Sequence, residues 1–161
     1  MNIKNLIMWV IIVLLSVGLF NMFQDPNKID STTIGKRSLK NKCLFYLSYC
    51  DEEFLDLAYN QFSNAHNMTD ECSALNCLIH YENKYSQKAS DKFYRKWKRD
   101  TLIMDKWLSV LASRKASNLL DSIITLEKDP VFDSRNPNKI RSLYGAYTRN
   151  LVNFHDQSGE G

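Results

Sequence analysis

Residues 88–107 read KASDKFYRKWKRDTLIMDKW, with seven Lys and Arg set around Phe93, Tyr94, Trp97 and Trp107. Their arrangement decides the fold class. On a single helix, Lys92, Arg95, Lys96 and Arg99 follow i, i+3, i+4, i+7 spacing and share a face. Phe93 and Trp97 lie one turn apart on another face, beside Tyr94. Cations and aromatics therefore do not interleave. A stacking platform for single strands needs aromatics exposed beside cations, and Asp91, Asp100 and Asp105 dilute the positive field. The stretch reads as helix with a solvated basic face and a buried aromatic stripe, and no nucleic-acid partner is expected.

The totals agree with that reading. The chain has 161 residues, 44% apolar and 24% charged, with a formal net charge of +3. That balance is ordinary for one globular domain, and the charge is too mild to imply nucleic acid. Only 5 Gly and 3 Pro occur, which permits helices and disfavours a turn-rich β fold. Helical spacing recurs along the body. Leu39, Cys43, Leu44, Tyr46 and Leu47 form one set. A second helix is expected from Asp51, with Glu52 and Glu53 in its first turn and Phe54, Leu55, Leu57, Ala58 and Phe62 as its apolar set. Thr69 reads as the N-cap of a third, followed by Ala74, Leu75, Leu78 and Tyr81. Another runs from about Ser117 through Leu119, Leu120, Ile123, Ile124 and Leu126, stopping before Pro130. In the last, Asn136 is the cap and Pro137 the first helical residue, with Ile140, Leu143, Tyr144 and Tyr147 on one face. The pattern predicts an all-α helix-pair solenoid without a strict repeat.

Two features of composition need separate treatment. Cys43, Cys50, Cys72 and Cys77 lack zinc-ribbon spacing and are expected as buried free thiols, with two disulfides or a metal site as the alternatives. At the other end, Leu6 to Phe23 carries no charge over eighteen residues, near the short limit of a bilayer span. No small-residue cleavage site follows it, which disfavours a signal peptide; a helix buried on all sides is the remaining rival. The expected organisation is a single-pass membrane helix over residues 1–23, a polar linker over 24–35 and a helical body over 36–161. Residues 6–23 would contact lipid.

The stretch NIKNLIMWVIIVLLSVGLFNMFQDP resembles the first transmembrane segment of FtsH-type membrane-bound ATP-dependent proteases. That resemblance implies an N-terminus in the cytoplasm, whereas Lys28, Lys36, Arg37, Lys40 and Lys42 after the span argue for a cytoplasmic body. The body is expected on the cytoplasmic side of the membrane. Neither a phosphate-binding loop nor an H-E-x-x-H motif is present, so no chemistry carries over.

The segments RSLKN, NMTDECSAL, FYRKWKRDTLIMDKW, NPNKIRSLYGAY and NFHDQSGEG together resemble the C-terminal region of bacterial alanyl aminopeptidase, the aminopeptidase N family. The resemblance covers about residues 36–161 in consistent order. It implies a superhelical α domain that closes over a zinc site carried upstream, and a parent function of removing N-terminal residues from peptides. The chain has neither the family's H-E-x-x-H nor its G-x-M-E-N motif. His66, His80 and His155 are read as packing, capping or solvated residues, and Cys77 with His80 lacks the partners a nucleophile pair needs. No catalytic or metal-binding residue is therefore assigned, and no cofactor is expected in this chain, zinc belonging to the full-length family. By resemblance, Asn136, Asn138 and Arg141 face the substrate cavity; the alternative is that Asn136 only caps its helix and Arg141 bridges neighbours. The family pattern continues past Gly161, so a part of a longer enzyme is expected, inactive alone, with the catalytic portion of an aminopeptidase as partner. The alternative is a membrane-tethered helical interaction module.

Overall fold

The computed structural model describes residues 31–155, and every described element is helical. The chain divides into two units, Met1–Cys43 and Leu44–Gly161. In the first, the described residues are the opening turns of α1 (Ser31–Leu47). The second holds the remainder of α1 and then α2 (Glu53–Asn64), α3 (Met68–His80), α4 (Ser86–Trp97), α5 (Thr101–Ala112), α6 (Leu119–Leu126), α7 (Pro137–Tyr147) and α8 (Leu151–Phe154).

Short polar side chains fix where these helices begin. Asp51 Oδ1 accepts from the Glu53 amide at 3.1 Å and opens α2. At α3 the cap is Asn67, not Thr69: its Oδ1 accepts from the Asp70 amide at 2.9 Å and its Nδ2 donates to Asp70 Oδ2 at 3.0 Å. This reciprocal pair satisfies a free amide and favours the residue one turn before Asp70. Asn136 caps α7 with Pro137 behind it, as the sequence predicts.

Residues 88–107 form two helices rather than one. Asp100 is extended and accepts from the amides of Leu102 and Ile103 at 3.0 and 3.1 Å, which starts a new helix. A short carboxylate competes for backbone N–H groups and is more stable at a cap than inside a helix. Arg99 therefore lies in the α4–α5 turn, off the face that holds Lys92 and Lys96.

The core of the second unit follows the predicted stripes. Leu55, Ala58 and Phe62 of α2 pack toward Ala74, Leu75 and Leu78 of α3. In turn α3 lies against α4 and α5, and α5 packs along α7 and touches α6. Phe93, Leu75, Leu78, Met104, Leu108, Leu119, Ile123 and Leu143 are fully buried. Each such side chain contributes roughly 1.5–3 kcal/mol of transfer free energy. Leu57, expected in the core, is half exposed, as are Tyr81 and Ile124. All four cysteines are free, but only Cys77 is buried and Cys50 is exposed.

The fold class expected for the N-terminus requires correction. Residues 1–23, expected as a membrane helix, lie outside the described residues. Among the described residues no helix is long and apolar enough to cross a membrane. The architecture is all-α with eight helices among the described residues, and the transmembrane element is removed from it. An uncharged run of eighteen residues suits lipid and a fully buried protein segment equally, so hydropathy alone does not separate them. The first described helix begins at Ser31, so it takes in residues 31–35 of the stretch expected as a polar linker.

Candidate functional site

The predicted site residues sit together at the start of α7. Asn136 Oδ1 accepts from the Asn138 amide at 2.9 Å. Asn138 and Arg141 are exposed, one turn apart. The capping role of Asn136 is thus realised, while the side-chain donors of Asn138 and Arg141 stay open to solvent. Behind them, Lys139 is buried, its Nζ 2.7 Å from Asp105 Oδ1 and 2.8 Å from the Thr101 carbonyl. That pair anchors the first turn of α7 to α5 and holds Asn138 and Arg141 outward.

A second polar centre lies where α3 meets α4. Glu71 is only 4% exposed. Lys96 Nζ reaches its two oxygens at 2.9 and 3.0 Å, and Trp97 Nε1 donates to Oε1 at 3.1 Å. Lys96 also lies 4.7 Å from the centre of the Trp97 ring. The basic face predicted for this helix is therefore not wholly solvated: Lys96 neutralises a buried carboxylate. Phe93 is buried as expected, while Trp97 is half-buried because its ring edge must meet Glu71.

The third feature is a polar cleft of about 250 Å³ between the start of α4, the end of α5 and the start of α6. Ser86, Gln87, Ser90, Glu82, Arg114 and Asn118 contribute to its walls. The loop carrying Arg114 is pinned on both sides. Lys115 donates its amide to the His80 carbonyl at 2.8 Å, and Asn150 Nδ2 donates to the Arg114 carbonyl at 2.9 Å. Burial lowers the Arg114 pKa below the usual guanidinium value, with Glu82 opposing that shift.

Sequence reasoning missed Glu71, Lys139 and Arg114. For the first two a signal existed. Glu71 lies three, four and seven residues before Ala74, Leu75 and Leu78, and Lys139 four and seven before Leu143 and Ala146, so both fall on buried stripes. A charge placed there must find a partner. Arg114 lies in a connection, where periodicity carries no information.

Nothing in these side chains forms a zinc site. His66 and His155 are exposed, and His80 packs between Phe45, Tyr49 and Tyr81. Burial, and then the Lys115 charge, lower the His80 pKa. Among the described residues no three His, Cys, Asp or Glu converge. The donor set does not fit the zinc of the aminopeptidases, and no hydrolytic step is derived from it.

Stacked helix pairs with these connections define the chain as an α-helical repeat domain of ARM type. It belongs to the family described as a domain of unknown function, DUF3458_C, ARM repeats, which matches residues 17–161. It is 33% identical over 141 residues to aminopeptidase N of Escherichia coli (strain K12), covering 86% of this chain and 16% of that protein. It is 36% identical over 135 residues to aminopeptidase N of Haemophilus influenzae, covering 83% of this chain and 15% of that protein. The crystal structure of Legionella pneumophila aminopeptidase A in complex with aspartic acid superposes with a TM-score of 0.80 at 27% identity, covering 98% of this chain and 20% of that one. The chain thus matches the C-terminal helical domain of aminopeptidase N-like enzymes and spans about a sixth of the length of the curated relatives.

These matches also correct the N-terminal reading. The family match begins at residue 17, inside the apolar run, and the structural match extends over nearly the whole chain. The FtsH-type resemblance of residues 1–30 is not supported, and the single-pass membrane placement with a cytoplasmic body falls with it. A short apolar run has too little sequence complexity to identify a family.

Proposed function

We propose that this chain acts as a non-catalytic helical domain of a zinc metallo-aminopeptidase of the aminopeptidase N type, whose activity removes N-terminal residues from peptides. Its partner is the catalytic portion that carries the zinc site. The observation that supports this most is the superposition on an aminopeptidase chain with a TM-score of 0.80 at 27% identity. On this reading Asn138 and Arg141 supply hydrogen-bond donors to the peptide backbone or carboxylate within the substrate chamber, and Asn136 sets their geometry by capping α7. The outward, unbonded side chains of Asn138 and Arg141 favour that role. Lys139, clamped to Asp105, keeps this turn rigid. An Arg fork suits a peptide carboxylate because two parallel N–H groups match its two oxygens.

The test is a chimera in which residues 36–161 replace the corresponding region of Escherichia coli aminopeptidase N. Hydrolysis of an alanyl amide should be retained, while the 161-residue chain alone should show none. Arg141→Gln in the chimera should raise KM for tetrapeptides several-fold and leave turnover of the small amide unchanged. A folded chimera without activity, or zinc-dependent turnover by the isolated chain, would contradict the reading.

A further inference from the structure

Lys84, Lys88, Lys92 and Lys96 recur at a strict four-residue interval along α4 and the residues just before it. Within the helix, successive members of such a row stand one turn apart, about 6 Å. Each ammonium lies over a ring. Lys84 is 4.9 Å from the centre of the Tyr85 ring, Lys88 4.9 Å from that of Tyr59, Lys92 5.5 Å from that of Phe62 and Lys96 4.7 Å from that of Trp97. Carboxylates from neighbouring helices neutralise both ends of the row. Lys84 pairs with Asp56 at 3.0 Å and Lys96 with Glu71 at 2.9 Å. The middle of the row lacks such partners. Among the described residues no Asp or Glu comes within ion-pair distance of Lys88 or Lys92. Asp91, beside them in sequence, accepts instead from Gln87 at 2.8 Å.

Hydroxyl groups of α2 stand where the acids are missing. Lys92 Nζ is 3.3 Å from Ser63 Oγ. The Lys88 ammonium beside the Tyr59 phenol oxygen holds that phenol below its ordinary pKa, and Lys92 adds to the shift. Like charges one turn apart on a helix repel and destabilise it. An uncompensated pair inside an otherwise compensated row therefore favours two negative charges supplied from outside. The Ser63 and Tyr59 hydroxyls can donate as well as accept, so they suit an oxyanion placed between the cations.

The row itself indicates the class of occupant, since both of its paired lysines hold carboxylates from another stretch of polypeptide. Nucleic acid fits less well. Tyr59 and Tyr85 stack on each other at 4.6 Å and carry the lysines above them, which leaves no open ring platform for a base. A membrane surface also lacks an anchor here, because Leu57, the exposed leucine of α2, lies on a different face from Tyr59 and Ser63.

We propose that the Lys88–Lys92 step docks an acidic segment of another polypeptide, with one carboxylate on each ammonium and the Ser63 and Tyr59 hydroxyls bonded to the remaining oxygens. Acidic residues at alternate positions of an extended segment are about 7 Å apart and match the step. Exposed ion pairs are individually weak, so the contact has low affinity and weakens as salt rises. It does not depend on the aminopeptidase reading, since every group that forms it belongs to this chain.

Nuclear magnetic resonance titration of the full 161-residue chain at low ionic strength tests it, with the blocked peptide acetyl-Gly-Glu-Ala-Glu-Gly-amide as probe and its Gln counterpart as control. Saturable shifts centred on Tyr59, Ser63, Lys88 and Lys92 are expected with the Glu peptide, and at least tenfold weaker binding with the Gln peptide. Lys88→Gln combined with Lys92→Gln should weaken binding of the Glu peptide at least fivefold. Lys106→Gln combined with Lys128→Gln makes the same change of charge at exposed lysines outside the row and should alter binding less than twofold. Exposed substitutions of this kind leave the fold intact, which far-ultraviolet circular dichroism checks. If the first double variant does not fold, the position of the shifts in the unaltered chain decides. Absence of saturable shifts, shifts centred away from these residues, or equal loss in the two double variants overturns the proposal. Tighter binding of inorganic phosphate, phosphatidylserine vesicles or a single-stranded oligonucleotide than of the Glu peptide overturns it as well.

Discussion

Replacing Lys96 by Met isolates the ion pair at the α3–α4 contact. Met keeps the unbranched stem over the Trp97 ring and removes the charge. What remains is Glu71, with its side chain 5% exposed and the Trp97 indole N–H as one donor. A fully exposed ion pair contributes about 0.2–1 kcal/mol, and stranding a charge in the interior costs about 3–5 kcal/mol. Lys96 is half exposed, at 48% of its side chain, while its partner is buried. Water reaches one side of the pair only, so the expected loss lies between these limits, about 2 kcal/mol. For a helical body of this size that corresponds to a fall in Tm of about 8 °C. Arg99→Gln, in the α4–α5 turn, should move stability by less than about 0.5 kcal/mol. Urea denaturation followed by circular dichroism gives both values. In a double-mutant cycle, Glu71→Gln should be mildly destabilising in the wild-type background, where half-exposed Lys96 can turn to water, and stabilising beside Lys96→Met, because the neutral amide removes the stranded buried charge. If Lys96→Met and Arg99→Gln cost the same, the pair is an ordinary surface contact and the reasoning fails.

Other outcomes follow from burial and titration. Phe93→Ala empties a fully buried site and should cost about 3–5 kcal/mol, read from the shift in denaturation midpoint. Ellman's reagent at pH 8 should label exposed Cys50 quickly and Cys77 only after unfolding, because burial pushes the Cys77 thiol up to about 11; equal rates would contradict the packing of α3. Burial raises the Tyr49 phenol to about 12, and the hydrogen bond donated to the Glu127 carboxylate raises Tyr144 to about 12. In both the folded pKa exceeds the ordinary value of 10, so their contribution is complete below pH 10 and is lost as pH rises toward 12. Tyr144→Phe should flatten part of that alkaline loss in thermal melts recorded from pH 9 to 11.5.

Much of the helical architecture was legible in the chain itself. Leu55, Ala58 and Phe62, Ala74, Leu75 and Leu78, and Leu143 and Tyr147 recur at the spacing that aligns side chains on one face of a helix, and all are buried. Asn136 before Pro137 fixes the start of α7 for the same local reason, since a cap acts over three residues. The family resemblance of residues 36–161 was also carried by contiguous motifs.

What the pattern could not reveal involves partners far apart in the chain. The break at Asp100 is a local competition that periodicity averages over. Whether eighteen apolar residues meet lipid or protein depends on what surrounds them, which their own sequence does not encode. Lys96 looks like a solvated cation until Glu71, twenty-five residues earlier, is placed against it. Lys139 gains its role from Asp105 and from the Thr101 carbonyl, thirty-eight residues away. Arg114 has its backbone carbonyl tied to Asn150 and its guanidinium to Ser122, contacts that no local pattern announces. Apolar spacing follows from helix geometry and can be read along the chain. The state of a charge depends on which distant groups exclude water from it, and only the packed helices determine that.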